Sequence, residues 1–462
     1  MSSTTHQLQV EKIMSIHGFN KELFAQKIGE VVFPSRPVRT IEHLFGREDY
    51  LLRIEKALLQ PGRNVFIFGD RGVGKSLLGA TAAYQYQSID AIPIFVSGSP
   101  DDTFISIVAN IANQAISKSR IDEKKTNKKF QFGWKGIGFE VGSEVSTRNL
   151  MDELVTIGDA TDLLCQISKL HSSKPIVVLD EFDVIKDVNE RNKFASLLKQ
   201  LGDQSINLKF IITGIGKSLD ELLGAHPSAY RQLENIELPR LSYEGRHEIL
   251  KTATNSFCLD IDDNVNWRIA LISDGYPYYV QLIAEHMLWE AFDDNDKVEK
   301  INFKHFQLGL KNAIKSISAE LKRPYEKAVT QRCDLFAYVV WSTADGDNLE
   351  REARDMYQSF KAILEKKNEQ NNLVELSKFG DYLRKLKTAT YGEVLKSLEN
   401  RKGWYFYKEK MLRGYVRMQA EANGIELSGE LKIPRQQMHV SVNAKTGYKH
   451  SEVPKGVHFK NK

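Results

Sequence analysis

The amino-acid sequence predicts an α/β protein with a parallel sheet in its first half, a helical region after it, and a small mixed module towards the C-terminus. Two observations carry this prediction. Five short apolar runs alternate with helical stretches up to residue 240, and near-continuous apolar strands of this kind are buried on both faces of a parallel sheet. A glycine-rich loop stands directly after the first run, where it would join a strand to a helix.

The runs are Asn64–Phe68, Ile92–Val96, Pro175–Leu179, Lys209–Thr213 and Asn235–Leu238. Ahead of them, residues 1–45 read as a mixed N-terminal segment with an amphipathic helix at Lys21–Ile28 and a turn at Phe33–Pro37. Residues 46–239 are expected to hold the α/β domain, with an insertion at 118–145. The insertion is lysine-rich at 118–129, and Phe130–Val141 alternates apolar and polar residues around glycines, a β-hairpin pattern. Lysines beside aromatics suit nucleic acid, although alternation is more often a half-buried strand packed on its own domain. Residues 240–318 read as helices only, among them Glu244–Asn255 and Tyr278–Phe292.

Composition bounds the class. The 462 residues exceed one ordinary core, and 42% hydrophobic with 27% charged residues is the balance of a folded globular chain. Met1–Gln7 lacks the basic start and apolar run of a secretion signal. The longest apolar stretch, Leu335–Trp341, is far below the roughly 18 residues of a membrane span. Cys165, Cys258 and Cys333 lie far apart and read as reduced, buried thiols, so the expected compartment is the cytoplasm. The net charge of +4 divides unevenly, with −7 on residues 1–300 and +11 on residues 301–462. A basic second part points to a negative partner, nucleic acid first among the candidates.

Gly69-Asp70-Arg71-Gly72-Val73-Gly74-Lys75-Ser76 fits the spacing GxxxxGK[ST] and is followed by a helix opening at Leu77. Backbone N–H groups turned inward by glycines cradle phosphate oxygens, and the helix start adds positive potential. Lys75 is the expected β/γ-phosphate ligand and Ser76 a Mg²⁺ ligand, so ATP with Mg²⁺ is the expected ligand pair. The third run ends in Asp180-Glu181-Phe182-Asp183. Asp180 is placed to orient Mg²⁺ and Glu181 to polarise the attacking water; Asp183 caps the next helix or assists.

Phe45-Gly46-Arg47-Glu48, the strand "VVLDEFD" and the helix start "SDGYPYYVQ" resemble AAA+ ATPases related to archaeal and eukaryotic origin-recognition proteins. They are also similar to bacterial ATP-binding proteins of the STAND group. The resemblance covers about residues 40–320 in order, and the C-terminal module more weakly. It implies a P-loop NTPase (AAA+) sheet domain with a helical lid, and it places Phe45, Gly46 and Arg47 against the adenine. It further implies that Thr213 senses the γ-phosphate and that Arg231 is an arginine finger reaching a neighbour's site. One departure stands out: where many such proteins carry an arginine at the lid-helix start, this chain has Gly275-Tyr276-Pro277-Tyr278-Tyr279, and the nearest arginine is Arg268.

Residues 319–427 are expected to form a winged-helix-like domain, as origin-recognition-type ATPases carry after their lid, and 428–462 a basic tail. Glu375–Leu386 reads as one amphipathic helix, Tyr391–Asn400 as a second, Trp404–Tyr407 as a strand and Leu412–Met418 as its partner. Six basic residues (Arg401, Lys402, Lys408, Lys410, Arg413, Arg417) against Glu409 would give the wing phosphate contacts. Two functions follow. One is an ATP-hydrolysing switch acting on or with double-stranded DNA as an oligomer. The other is a STAND-like signalling or defence ATPase whose C-terminal module binds a protein partner.

Overall fold

The structure, a computed structural model, describes residues 16–33, 44–88, 91–118, 131–134, 137–140, 147–216, 219–220, 231–330 and 334–427. For residues 117, 118, 131–134, 137–140, 147–149 and 170 it describes the backbone alone. The turn expected at 34–37, the lysine-rich stretch 119–129, Cys333 and the tail 428–462 lie outside the described residues.

Five strands form the central sheet: β1 (Asn64–Phe68), β2 (Ile94–Ser97), β3 (Ile176–Asp180), β4 (Lys209–Gly214) and β5 (Leu233–Glu237). They pair in parallel in the order β2-β3-β4-β1-β5. Each expected run is a strand, with ends shifted by no more than two residues. Burial explains the apolar runs: all six residues of β4 are buried, as are the first four of β1 and of β3. Helices cover both faces. Helices α1 (Lys21–Val31) and α2 (Glu48–Leu58) precede the sheet; α3 (Lys75–Tyr86), α4 (Phe104–Lys118), α5 (Thr147–Glu153), α6 (Ile157–His171) and α7 (Val188–Asp203) lie between its strands. Helix α2 shows how the pattern works, since Leu51, Ile54, Ala57 and Leu58 fall on one face and are all buried. Between α4 and α5, residues 131–134 and 137–140 pair as an antiparallel ladder with Phe132 opposite Phe139, the hairpin expected in the insertion.

Beyond the sheet come α8 (Tyr243–Asn255), α9 (Asp263–Ile272), α10 (Pro277–Phe292) and α11 (Phe303–Ser316). The region is not helices only: residues 260–261 and 300–301 form a short parallel pair, too brief to leave a period in the sequence. Cys258, expected to be buried, is exposed at the end of α8, and Cys165 is half-buried. Helix α1, with Phe24 fully buried, packs on this region: the Phe24 ring stacks on Phe292 at 4.2 Å and meets Trp289 edge-on at 4.8 Å. Burying one such phenylalanine is worth about 1.5–3 kcal/mol.

The C-terminal module contains α12 (Ala319–Val329), α13 (Asp334–Thr343), β6 (Glu350–Glu352), α14 (Ala353–Lys366), α15 (Leu376–Lys385), β7 (Leu395–Ser397), β8 (Trp404–Tyr407) and α16 (Lys410–Ala422). The order α13-β6-α14-α15-β7-β8, with an antiparallel sheet arranged β6-β8-β7, is that of a winged helix. Two assignments inside it are corrected. The second helix expected at Tyr391–Asn400 is a single 3₁₀ turn at Ala389–Tyr391, followed by β7, because Gly392 and Glu393 take positive φ (79° and 48°) and end any helix there. Leu412–Met418, expected as the strand pairing with β8, lies within α16. All of Met411 to Met418 are buried, Arg413 and Arg417 included, so apolar residues interrupted by these two arginines imitate alternation over a short window. Among the described residues, no helix is long and apolar enough to cross a membrane.

Candidate nucleotide site

The carboxyl ends of β1, β3 and β4 meet in register: Phe68 lies opposite Gly214, Ile67 opposite Thr213 and Leu179 opposite Ile212. In an open parallel sheet this edge is where ligands bind. The chain leaves β1 through the glycine-rich loop and turns into α3 at Gly74, whose φ of 97° a side chain would strain. A cleft of about 760 Å³ opens here. Arg71, Gly72, Gly74, Lys75, Ser76 and Leu77 line it, as do Asp180, Glu181, Asp183 and Thr213.

Asp180 is the centre of the polar network. Its Oδ1 accepts from the Ser76 hydroxyl at 3.0 Å, from the Thr213 hydroxyl, and from the Glu181 N–H at 3.0 Å. The Glu181 N–H also reaches Thr213 Oγ1 at 3.2 Å. Bonds to an ionised acceptor are the stronger kind, and three converging donors fix where this carboxylate points. Glu181 itself takes a left-handed backbone (φ 54°), an uncommon conformation for a residue with a side chain. The turn ends the strand and leaves the Glu181 side chain exposed on the cleft.

Lys75 Nζ donates to the Gly69 and Asp70 carbonyls at 3.0 and 2.9 Å. Burial pulls its pKa below the usual lysine value, while Asp183, Asp180, Asp70 and Glu181 oppose that pull. A hydroxyl and a carboxylate oxygen 3.0 Å apart at a phosphate-binding loop suit a hard cation such as Mg²⁺, which takes few protein ligands and completes its shell with phosphate oxygens and water. Among the described residues no group of three or more His, Cys, Asp and Glu side chains is placed to hold a metal by itself.

Gly69, Asp70 and Val73 of the glycine-rich loop are not among the lining residues, and two further expected groups stand apart from the cleft. Phe45, Gly46 and Arg47 are not among the residues lining the cleft. Arg47 is buried, donates to the Pro239 carbonyl at 2.6 Å and the Val73 carbonyl at 3.4 Å, and so ties the loop before α2 to the back of the glycine-rich loop. Desolvation lowers its pKa, and the charges of Tyr50 and Glu48 act the other way. Arg231 is exposed just before β5, which starts opposite Asn64 at the far end of β1. Five strand residues at about 3.3 Å each put it roughly 15 Å from its own glycine-rich loop. There it lines a basic recess with Arg53, Lys56, Arg63 and Glu234.

Sequence reasoning missed Phe33, Gln281, Glu320, Glu409 and Met411, which also line the cleft. Glu409 and Met411 belong to the C-terminal module, and nothing local in the sequence links them to residues 69–77. The basic run of the wing divides as well. Arg413 and Arg417 are 1% and 2% exposed and cannot meet a nucleic acid. Arg413 donates to the carbonyls of Gly346, Asp347 and Asn348, and Arg417 to those of Leu271, Ala344 and Gly346. Both approach buried Asp274, as does Arg240 at 2.6 Å. Lys408 pairs with Glu393 and Lys410 with Asp70. Arg401 and Lys402 remain exposed at the turn between β7 and β8.

A parallel sheet in this strand order, a GxxxxGKS loop after its first strand, a helical lid and a winged helix together define the AAA+ P-loop ATPase fold. No protein-family model matches the chain, and no curated protein does. Among solved structures it is similar to the Walker-type ATPase of Pyrococcus abyssi, with 16% identity over 83% of this chain and 99% of that one (TM-score 0.49). It is also similar to Cdc6p from Pyrobaculum aerophilum, at 16% identity over 85% and 98% of the two chains (TM-score 0.43). A third is the ORC1 protein of Aeropyrum pernix in complex with DNA, at 13% identity over 85% and 95% (TM-score 0.42).

Proposed function

We propose that this protein is a cytoplasmic ATPase of the AAA+ type that works as an ATP-dependent switch, as an oligomer, on or with double-stranded DNA. The observation that carries the ATPase reading is the convergence of Ser76, Thr213 and the Glu181 N–H on one oxygen of Asp180 beside the glycine-rich loop. In this reading ATP lies along Gly69–Leu77, and Lys75 exchanges the Gly69 and Asp70 carbonyls for β- and γ-phosphate oxygens. Ser76 and Asp180 would hold Mg²⁺, which offsets charge on the phosphates. Glu181 polarises a water whose oxygen attacks the γ-phosphorus. The proton passes to Glu181, and the broken P–O bond leaves its electron pair on ADP. Thr213 holds Asp180 and Glu181 in register, and Phe45, Gly46 and Arg47 support the base side. Arg231, too far from its own cleft, acts on that of a second copy, where it neutralises developing charge.

For DNA, the supporting surface is α15 and the β7–β8 turn. Lys378 and Lys385 on α15 and Arg401 and Lys402 on the turn are exposed cations. A helix of this kind enters the major groove while the turn touches phosphates. The alternative, a STAND-like ATPase with a protein partner, draws on the contact of α16 with the nucleotide loop, since a module leaning on the cleft can relay partner binding to it.

The test is ATP turnover by purified protein with and without double-stranded DNA, at low and moderate salt, with Glu181→Gln as the blank. The expected results are a loss of about 100-fold or more in the blank and a stimulation by DNA that fades as salt rises. Turnover equal to the blank in every condition would remove the ATPase reading. Turnover indifferent to DNA, with no DNA binding, would leave the protein-partner alternative.

A further inference from the structure

Among the described residues, those lining the cleft include two cations, Lys75 and Arg71, against the carboxylates Asp180, Glu181, Asp183, Glu320 and Glu409. Arg71 is highly exposed and pairs with Glu320 at 3.7 Å. The start of lid helix α10 supplies no cation, and Arg268 is taken up by Glu421 and, at 2.8 Å, Glu426. A triphosphate entering this cleft meets a deficit of positive charge on the lid side.

Helix α16 carries cations at 410, 413 and 417, spacing that puts all three on one helical face. The last two are locked in the buried cluster around Asp274 and fix the helix against the lid. The fit is close elsewhere too. The Tyr279 hydroxyl donates to the Met411 carbonyl at 2.8 Å, and a Cβ on Gly414 would lie 2.6 Å from the Tyr279 ring. This clamp carries the start of α16 to the nucleotide loop. Glu409 and Met411 line the cleft, and Met411 Sδ lies 2.5 Å from where a Cβ on Gly72 would stand. Lys410 Nζ sits 2.6 Å from Asp70 Oδ1, while Lys75 Nζ bonds the carbonyl of the same Asp70.

We propose that Lys410, from the C-terminal module, is a γ-phosphate-binding residue of the ATP site, filling the place left without a cation at the lid. The inference rests on reading the cleft as an ATP site. The Lys410–Asp70 pair is suited to exchange, because its side chains are 43% and 28% exposed and a solvent-screened pair is held by little. A γ-phosphate offers more charge and more acceptors than Asp70. The fully buried Tyr276 hydroxyl, which has no hydrogen-bond partner among the described residues, feels the charges of Asp274 and, more weakly, of Asp70 and Glu409. ADP lacks the group that Lys410 would meet, so the contact distinguishes the two nucleotides and ties the winged helix to the nucleotide state.

The experiment measures Kd for Mg-ATP and Mg-ADP by titration calorimetry on the full chain, for wild type, Lys410→Ala, Lys410→Arg and Asp70→Asn. Lys410→Ala is expected to weaken ATP by about 10- to 100-fold, the effect of losing one charged hydrogen bond, and to leave ADP within about twofold. Lys410→Arg should keep most of the ATP preference. Asp70→Asn should keep it or raise it, since the lysine is released. Equal weakening of ATP and ADP in Lys410→Ala and Asp70→Asn alike would make the pair a structural tie and overturn the inference. Unchanged ATP affinity in Lys410→Ala would overturn it as well. A wild type that binds neither nucleotide would instead defeat the ATP reading itself.

Discussion

The basic run from Arg401 to Arg417 divides into two regions that the sequence presents as one. At the wing end, Arg401 and Lys402 are exposed, and the Arg401 guanidinium rests 5.1 Å from the Trp404 ring. In α16, Arg413 and Arg417 are enclosed, with backbone carbonyls and Asp274 as partners. The same residue types thus stand exposed at a turn in one place and form a clamp within the molecule in the other. What separates them is secondary structure. A turn projects its side chains outward, whereas a helix buried on most sides brings even arginines inward, where, among the described residues, carbonyls and Asp274 take up their donors with the exception of Arg413 Nε.

Removing the clamp's anion should have the largest effect. Asp274→Asn keeps a side chain that tolerates the positive φ at this position (53°) but leaves three guanidinium groups around a neutral amide. A loss of about 3–5 kcal/mol is expected, the scale for breaking a buried pair, read as the shift in denaturant midpoint. Burial pushes the Asp274 pKa up, but Arg413, Arg417, Arg240 and Arg246 prevail and hold it below its ordinary 3.8. A carboxylate with a depressed folded pKa adds stability that is complete above the unfolded value and disappears as pH falls through the folded one. Wild type should therefore lose this contribution only below about pH 4, and Asp274→Asn should flatten that acid limb; an unaltered acid limb would contradict the assignment.

A smaller effect, on binding alone, is expected at the wing. Arg401→Ala with Lys402→Ala should weaken double-stranded DNA binding about 10-fold and reduce the salt slope by about 2, with the denaturant midpoint unmoved. DNA binding at wild-type strength in that variant would remove the wing from the interface. Lys408→Ala, which breaks an exposed pair with Glu393, should change stability by less than about 1 kcal/mol. A larger loss would mean that the exposed end of the run shares in the clamp.

The sheet was legible because its inner strands β1, β3 and β4 are buried on both faces and read as apolar runs closed by turn or helix signals, while the edge strands β2 and β5 are partly exposed and more mixed. The loop 69–77 and Asp180-Glu181 were legible because phosphate binding dictates residue type and spacing locally. The winged helix was legible as an order of elements, yet its second half was misread. Leu412–Met418 alternates well enough for a strand, and only the full 13 residues of α16, opened by Glu409 accepting from the Met411 N–H, reveal a helix. Strand β6 is three residues long, and the lid pair at 260–261 and 300–301 is shorter; neither spans a period. The contact of Lys410 with Asp70 joins residues 340 apart in sequence, and no local pattern encodes such a distance.

The aromatic packing of α1 bears on where this chain can be cut. By sequence, residue 46 is a natural place to begin a fragment, since the sheet domain starts there. The rings of Phe19 and Phe24, however, lie against Phe257, Trp289 and Phe292. The His17 imidazole also reaches Val298, accepting from its N–H at 2.7 Å. A fragment begun at 46 would uncover an apolar aromatic surface formed by Phe257, beyond the end of α8, and by α10, the kind of patch that drives self-association. The first helix is in effect the outer skin of the lid, so a fragment meant to stay in solution must keep residues 16–33 with the lid.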